Sequence, residues 1–122
     1  MPVVDIEVVV APDVVTVTGL AQALADAIGD TLGSASGQTW VRLHLLPTGQ
    51  YAENHASLGA ADLPAFVRLL QRQPAEGADR ARETMALTRA IAGILKRPPD
   101  RVHVEYASAG SGNVAFGGTI VR

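Results

Sequence analysis

The sequence predicts an α+β fold: two β-α-β repeats forming a four-stranded mixed sheet with two helices on one face. Three observations predict it. Segments with an apolar period of two flank segments with a period near four, in the order strand, helix, strand, and the series occurs twice. A proline precedes the first strand of each half, and Pro2 and Pro64 lie 62 residues apart. "VRLH" at 41–44 and "VHVE" at 102–105 stand about 61 apart. Such spacing reads as internal duplication. The 122 residues then form one domain, 1–122, with repeat one at about 2–47, repeat two at about 64–107 and a C-terminal hairpin at about 108–122.

Each element has its own reason. In "VVDIEVVV" (3–10), Val4, Ile6, Val8 and Val10 line one face while Asp5 and Glu7 stand on the other, as in a strand with one buried side. Leu20, Leu24, Ile28 and Leu32 recur every four residues, which is a helical stripe, with Thr18 as expected cap and Gly33 as stop. "TWVRLHLLP" (39–47) alternates again and Pro47 ends it. Residues 48–63 read as a loop. The pattern then restarts with "PAFVRLLQRQ" (64–73), a helix carrying Leu87, Ile91, Ile94 and Leu95, and "RVHVEYA" (101–107). "GSGNVAFGGTIVR" closes the chain as a glycine-rich turn and short hairpin. A crossover helix makes the two strands of each unit parallel. One sheet face is left with mixed residues and needs a partner, which predicts an oligomer.

Composition narrows the function classes. A net charge of -2 gives no electrostatic case for nucleic acid or an anionic membrane. No cysteine is present, which removes thiol catalysis and disulfides and is compatible with a reducing compartment. The apolar start has no basic n-region and is broken by Asp5 and Glu7, so it does not read as a signal peptide. No stretch approaches the roughly 20 apolar residues of a membrane span. The cytoplasm is the expected location.

The duplicated unit, the proline directly behind Met1 and the chain length together resemble the tautomerase superfamily. The resemblance is strongest to its long-chain members: macrophage migration inhibitory factor and bacterial tautomerases, isomerases and dehalogenases. "PPDRVHVEY", followed by Asn113 in "GNVAFGG", resembles the last strand and turn of the migration inhibitory factors. The same "GNVAFGG", with Phe116, is similar to the terminal hairpin of 4-oxalocrotonate tautomerase, and "FVRLLQRQ" to a strand of the haloacrylate dehalogenases, with its arginine at Arg72. The resemblance implies a homotrimer with sites between subunits, no metal, no cofactor, and Pro2 as catalytic base or acid. It also has gaps. "GSASGQ" lacks the lysine of the migration inhibitory factors, and "APDVV" lacks the arginine of 4-oxalocrotonate tautomerase. His103 and Glu105 replace a tyrosine and an asparagine. The fold and the proline carry over; the substrate does not.

Pro2 has two readings. It is a strand opener, where a missing N–H does no harm. Alternatively, removal of Met1 frees a secondary amine, which an apolar pocket and a nearby cation bring toward neutrality as a base. A retained Met1 makes that nitrogen an amide with no basicity. Arg72 is the expected carboxylate clamp, with Arg68 competing on the same face, and a small 2-keto acid the expected ligand. His103 is positioned to donate to an enolate oxygen, and Glu105 to orient it or to activate water. Asn113 and Phe116 complete the candidate set. Arg42 and His44 read as interface residues, because Pro64, their pseudo-symmetric proline, is an internal imide.

Overall fold

The computed structural model describes residues 2–122; the fate of Met1 lies outside the described residues. The chain runs β1 (Val3–Val10), α1 (Leu20–Leu32), β2 (Trp40–Pro47), β3 (Ala65–Leu70), α2 (Gly77–Leu95), β4 (Val102–Tyr106), β5 (Ala115–Phe116) and β6 (Thr119–Ile120). The first four strands form one sheet in the order β2-β1-β3-β4, and β5 and β6 form a separate hairpin. β1 pairs parallel with β2 and β3 parallel with β4, while β1 and β3 meet antiparallel at the centre. The sheet is thus mixed, with its two β-α-β units back to back.

The core lies between the sheet and the helices. Val4, Ile6 and Val8 of β1 and Val67 and Leu69 of β3 meet Leu24 and Ile28 of α1 and Leu87 and Ile91 of α2. Ile6, Leu24, Ile28, Leu69, Leu87 and Ile91 are fully buried. Truncating one such leucine to alanine costs about 2–5 kcal/mol, most of a typical domain's margin. Val9, on the other face, is also fully buried. Alternation does not anticipate this: the 48–63 segment, with 3-10 turns at Thr48–Gln50 and Ala60–Asp62, brings Tyr51, Leu58 and Leu63 around it.

One expected cap is corrected. Thr18 does not cap α1. Gly19 takes that position at φ 79°, a left-handed turn from the incoming loop that leaves no side-chain cap bond. Gly33 does end α1, at φ 68°, with its N–H donating to Asp30 O and Ser34 N–H donating to Gly29 O. That paired closure fixes where Ser34 stands.

Candidate active site

The site is built where four segments converge at one end of the sheet. Trp40 N–H donates to Pro2 O at 3.0 Å, so the first ladder bond of β1 and β2 pins the buried Pro2. The β1–β3 ladder ends at Val3 opposite Leu70, so Pro2 and Gln71 lie just beyond that last pair. Beyond β3, a turn clasps the chain: Gly110 N–H donates to Gln71 O at 2.7 Å and Ser111 N–H to Arg72 O at 3.0 Å. The end of α1 delivers Leu32 and Ser34. Together these segments border an open cavity of about 440 Å³ lined by Pro2, Leu32, Ser34, Arg72 and Ser111, with Gln71 and Gln73 on either side of the arginine.

Its chemistry is mostly polar. Thr39 Oγ1 donates to Ser34 Oγ at 2.7 Å, which leaves the Ser34 hydroxyl proton free for another acceptor. Gln71 Nε2 donates to Glu83 at 3.2 Å, and Glu83 also accepts from Tyr106 Oη at 2.9 Å. Burial first, and then this carboxylate, hold the Tyr106 phenol above its ordinary value, so it stays a donor.

The other expected residues lie elsewhere in this subunit. On the open sheet face, register sets Arg42, Asp5, Arg68 and Glu105 in one row across all four strands, alternating in charge. Arg42 holds Asp5 through two bonds of 2.5 and 2.8 Å, and Arg68 pairs with Glu105. The next row is His44, Glu7, Phe66 and His103, with Tyr51 and His103 ring centroids 5.7 and 5.4 Å from that of Phe66. Asp5, Arg68 and Glu105 of the first row and all of the second line a depression of about 370 Å³ that shares no residue with the Pro2 cavity. Within one chain, therefore, Pro2 and Arg72 are together, while Arg68, His103 and Glu105 form a separate group. Asn113 Nδ2 donates to Ala109 O at 3.0 Å and ties its own turn. Phe116 packs edge-on against Trp40 at 4.8 Å, which brings the hairpin beside the strand that pins Pro2.

Sequence reasoning missed Ser34, Gln71, Gln73 and Ser111. Gln71 and Gln73 flank Arg72 in "LQRQP", and Ser34 follows a helix-stopping glycine. Those signals become legible only once the strand register is known. Among the described residues no cluster of three or more histidine, aspartate or glutamate side chains could hold a metal ion. No helix among them is long and apolar enough to cross a membrane.

The fold has counterparts in solved structures. The fold superposes on Pt0534 inactivated by 2-oxo-3-pentynoate with a TM-score of 0.73 at 17% identity, covering 98% of this chain and 94% of that one. Macrophage migration inhibitory factor from Trichinella spiralis gives 0.68 at 14% identity, covering 96% and 97%. Malonate semialdehyde decarboxylase, solved to explain decarboxylase and hydratase activities, gives 0.66 at 14%, covering 94% and 90%. No family model matches the sequence, and no curated protein does. The chain has the tautomerase-superfamily fold, over essentially its whole length. Several proteins sharing this fold are enzymes, with chemistries that differ from one to another.

Proposed function

We propose that the protein is a cofactor-independent tautomerase or isomerase of small 2-keto or 2-hydroxy-dienoic acids, acting in the cytoplasm as a homotrimer after Met1 is removed. One observation carries this reading: Pro2 and Arg72 line the same cavity. The neutral Pro2 amine takes a proton from the carbon next to the keto group; the C–H electrons become the new C=C bond and the carbonyl π electrons move to oxygen, giving an enolate. Arg72 grips the carboxylate with two parallel bonds. The free Ser34 hydroxyl proton is placed for the developing oxygen charge. Pro2 then returns its proton to carbon or oxygen. In the trimer, His103 and Glu105 of a neighbouring copy close the site, with Arg68 and Asn113 behind them and Phe116 supplying an apolar edge.

A second reading is a hydratase, dehalogenase or decarboxylase, with Pro2 kept protonated and Glu105 activating water. It is favoured by the exposure of the Glu105 side chain, 69%, and by the likeness to malonate semialdehyde decarboxylase. A non-catalytic trimeric binder is the third.

One experiment separates them: enolisation of phenylpyruvate against pH, with the N-terminus assigned by mass spectrometry. The tautomerase reading expects activity that rises as the amine deprotonates and vanishes when Met1 is retained. Glu105→Gln should then change turnover only a few-fold, roughly 2–5 times. A Glu105→Gln loss of about 10²-fold in hydration, with enolisation intact, would establish the second reading. No turnover of either kind with Pro2 free leaves the binder.

A further inference from the structure

We infer that Gln71 is the positioning residue for Pro2: its carbonyl oxygen accepts the N–H of the prolyl amine and so turns the nitrogen lone pair into the cavity. The inference rests on the reading of Pro2 as the base. It starts from an orphan. Gln71 Oε1 is buried and has no hydrogen-bond partner among the described residues. A buried acceptor left unmatched costs about 1–3 kcal/mol, so it points to a donor that arrives. The orientation of the amide is not free. Glu83 is a carboxylate and can only accept, so the Gln71 NH₂ must face it, as its 3.2 Å bond records. Glu83 is itself held by Tyr106, whose hydroxyl lies 2.9 Å from Thr84 Oγ1, and the Tyr106 ring lies under Arg80 at 4.8 Å. The chain of contacts from α2 and β4 therefore locks the carbonyl end of Gln71 away from Glu83. Pro2 precedes and Gln71 follows the terminal Val3–Leu70 pair of the two strands, and both residues line the same cavity.

A neutral secondary amine carries one N–H and one lone pair. If the N–H is engaged by a carbonyl, the lone pair points elsewhere, here toward the substrate. When the substrate C–H breaks and its proton joins nitrogen, the second N–H forms on the cavity side. That proton is then the one returned, while the bond to Gln71 persists throughout. An acceptor on the ammonium form also raises its pKa and opposes the effect of Arg72. Gln71 and Arg72, adjacent in sequence, would therefore set the basicity of Pro2 in opposite senses.

The test is an NMR titration of the chain with Pro2 exposed, carrying ¹⁵N-proline and ¹³Cδ-glutamine labels. In the unaltered protein the Gln71 Cδ resonance should titrate with the same midpoint as the Pro2 nitrogen. Gln71→Leu, which leaves Glu83 its Tyr106 partner, should lower that midpoint by about one pH unit. Gln71→Glu should raise it by at least as much, since a carboxylate is the stronger acceptor. A change in packing alone does not give opposite signs. In turnover, Gln71→Leu should lower kcat roughly tenfold with KM little changed. A Pro2 nitrogen that titrates while Gln71 Cδ stays flat overturns the inference and leaves the base reading standing. A processed Pro2 that titrates together with Gln71 but supports no enolisation overturns the base reading and not the contact. Labels on the unaltered chain decide the matter even if a variant does not fold.

Discussion

The two ends of the sheet share one β-α-β plan and differ in how they are covered: the Pro2 end borders a depression of about 440 Å³, while the Pro64 end lies under the 48–63 segment, which leaves about 170 Å³. At the first end Pro2 borders a cavity with Arg72, whose backbone is held but whose side chain lines free space. At the other end Pro64 heads the second repeat. The 62-residue offset that carries Pro2 to Pro64 carries Ser34 to Lys96 and Ala35 to Arg97. There the Arg97 guanidinium donates to Leu63 O at 2.9 Å and Pro64 O at 3.1 Å, while Val9 N–H also reaches Pro64 O at 3.0 Å. Burial depresses the Arg97 pKa, as expected of a cation placed where a cavity stands at the other end. The 48–63 segment covers the rest, with Tyr51 and Arg101 both bonded to Glu53. The two halves thus share one arrangement of strands and helix. The half headed by the internal, non-basic Pro64 is tied by Arg97, and in the half headed by Pro2 the arginine Arg72 lines the cavity.

The largest expected effect that sharpens this contrast lies at the open end. Arg72→Ala should raise KM for a 2-keto acid roughly 10–100-fold, the worth of a charged hydrogen-bonded clamp of about 1.5–3 kcal/mol. Arg68→Ala should raise it no more than about threefold, because Arg68 is committed to Glu105 on the exposed face, where ion pairs are worth little. Steady-state kinetics on both variants decide it. Equal effects would mean that the open face, and not the Pro2 cavity, holds the carboxylate.

How much of this contrast was legible in the sequence follows from what is local and what is not. Period-two alternation placed Val4, Ile6 and Val8 inside, and a four-residue stripe placed Leu24 and Ile28, because strand and helix geometry act over a few residues. Gly33 was legible as a stop for the same reason. Thr18 was not the cap, since the left-handed turn at Gly19 depends on the path of the loop before it. Alternation sets Val9 on the face of Asp5 and Glu7, and the segment that covers it lies some forty residues on. The cavity is the hardest case. Pro2, Ser34, Arg72 and Ser111 come from four segments, and only the register of β1 with β2 and β3 brings them together.

The next effect belongs to the filled end and should show in stability, not activity. Arg97→Met keeps much of the stem but removes the donors to Leu63 O and Pro64 O. Losing charge-assisted bonds to partly buried carbonyls should cost about 1.5–3 kcal/mol, read as a lower urea midpoint. Enolisation at the Pro2 end should stay within about twofold, because the two sites lie at opposite ends of the sheet and share no partner. A variant that lost activity while keeping its urea midpoint would show that the ends communicate and that the contrast drawn here is too simple.

The smallest effect concerns the Glu53 latch over the filled end, and its sign can be worked out. Tyr51 Oη and Arg101 Nη2 each donate to Glu53 Oε2 at 2.6 Å. The bond from Tyr51 first, then that from Arg101, holds the Glu53 carboxyl below its ordinary value of 4.5. In the unfolded chain those donors are gone, so the folded state binds the proton less tightly than the unfolded one. The latch therefore contributes its full stabilisation above the ordinary glutamate range, and loses it as pH falls through the lower, folded value. Both partners are partly exposed, and solvent screens them, so the loss should be local: the 48–63 segment opens before the core does. Protection of the Tyr51 and Glu53 amides, taken relative to the intrinsic exchange rate at each pH, should fall on acidification below about pH 4.5, while protection at Ile6 and Leu69 holds. Glu53→Gln should remove this acid dependence and exchange quickly at every pH. Should the acid-sensitive exchange persist in Glu53→Gln, another carboxylate would govern the segment. If exchange at Ile6 quickened together with Tyr51, the latch and the core would be one cooperative unit, and the filled end would owe its closure to the whole fold and not to Glu53.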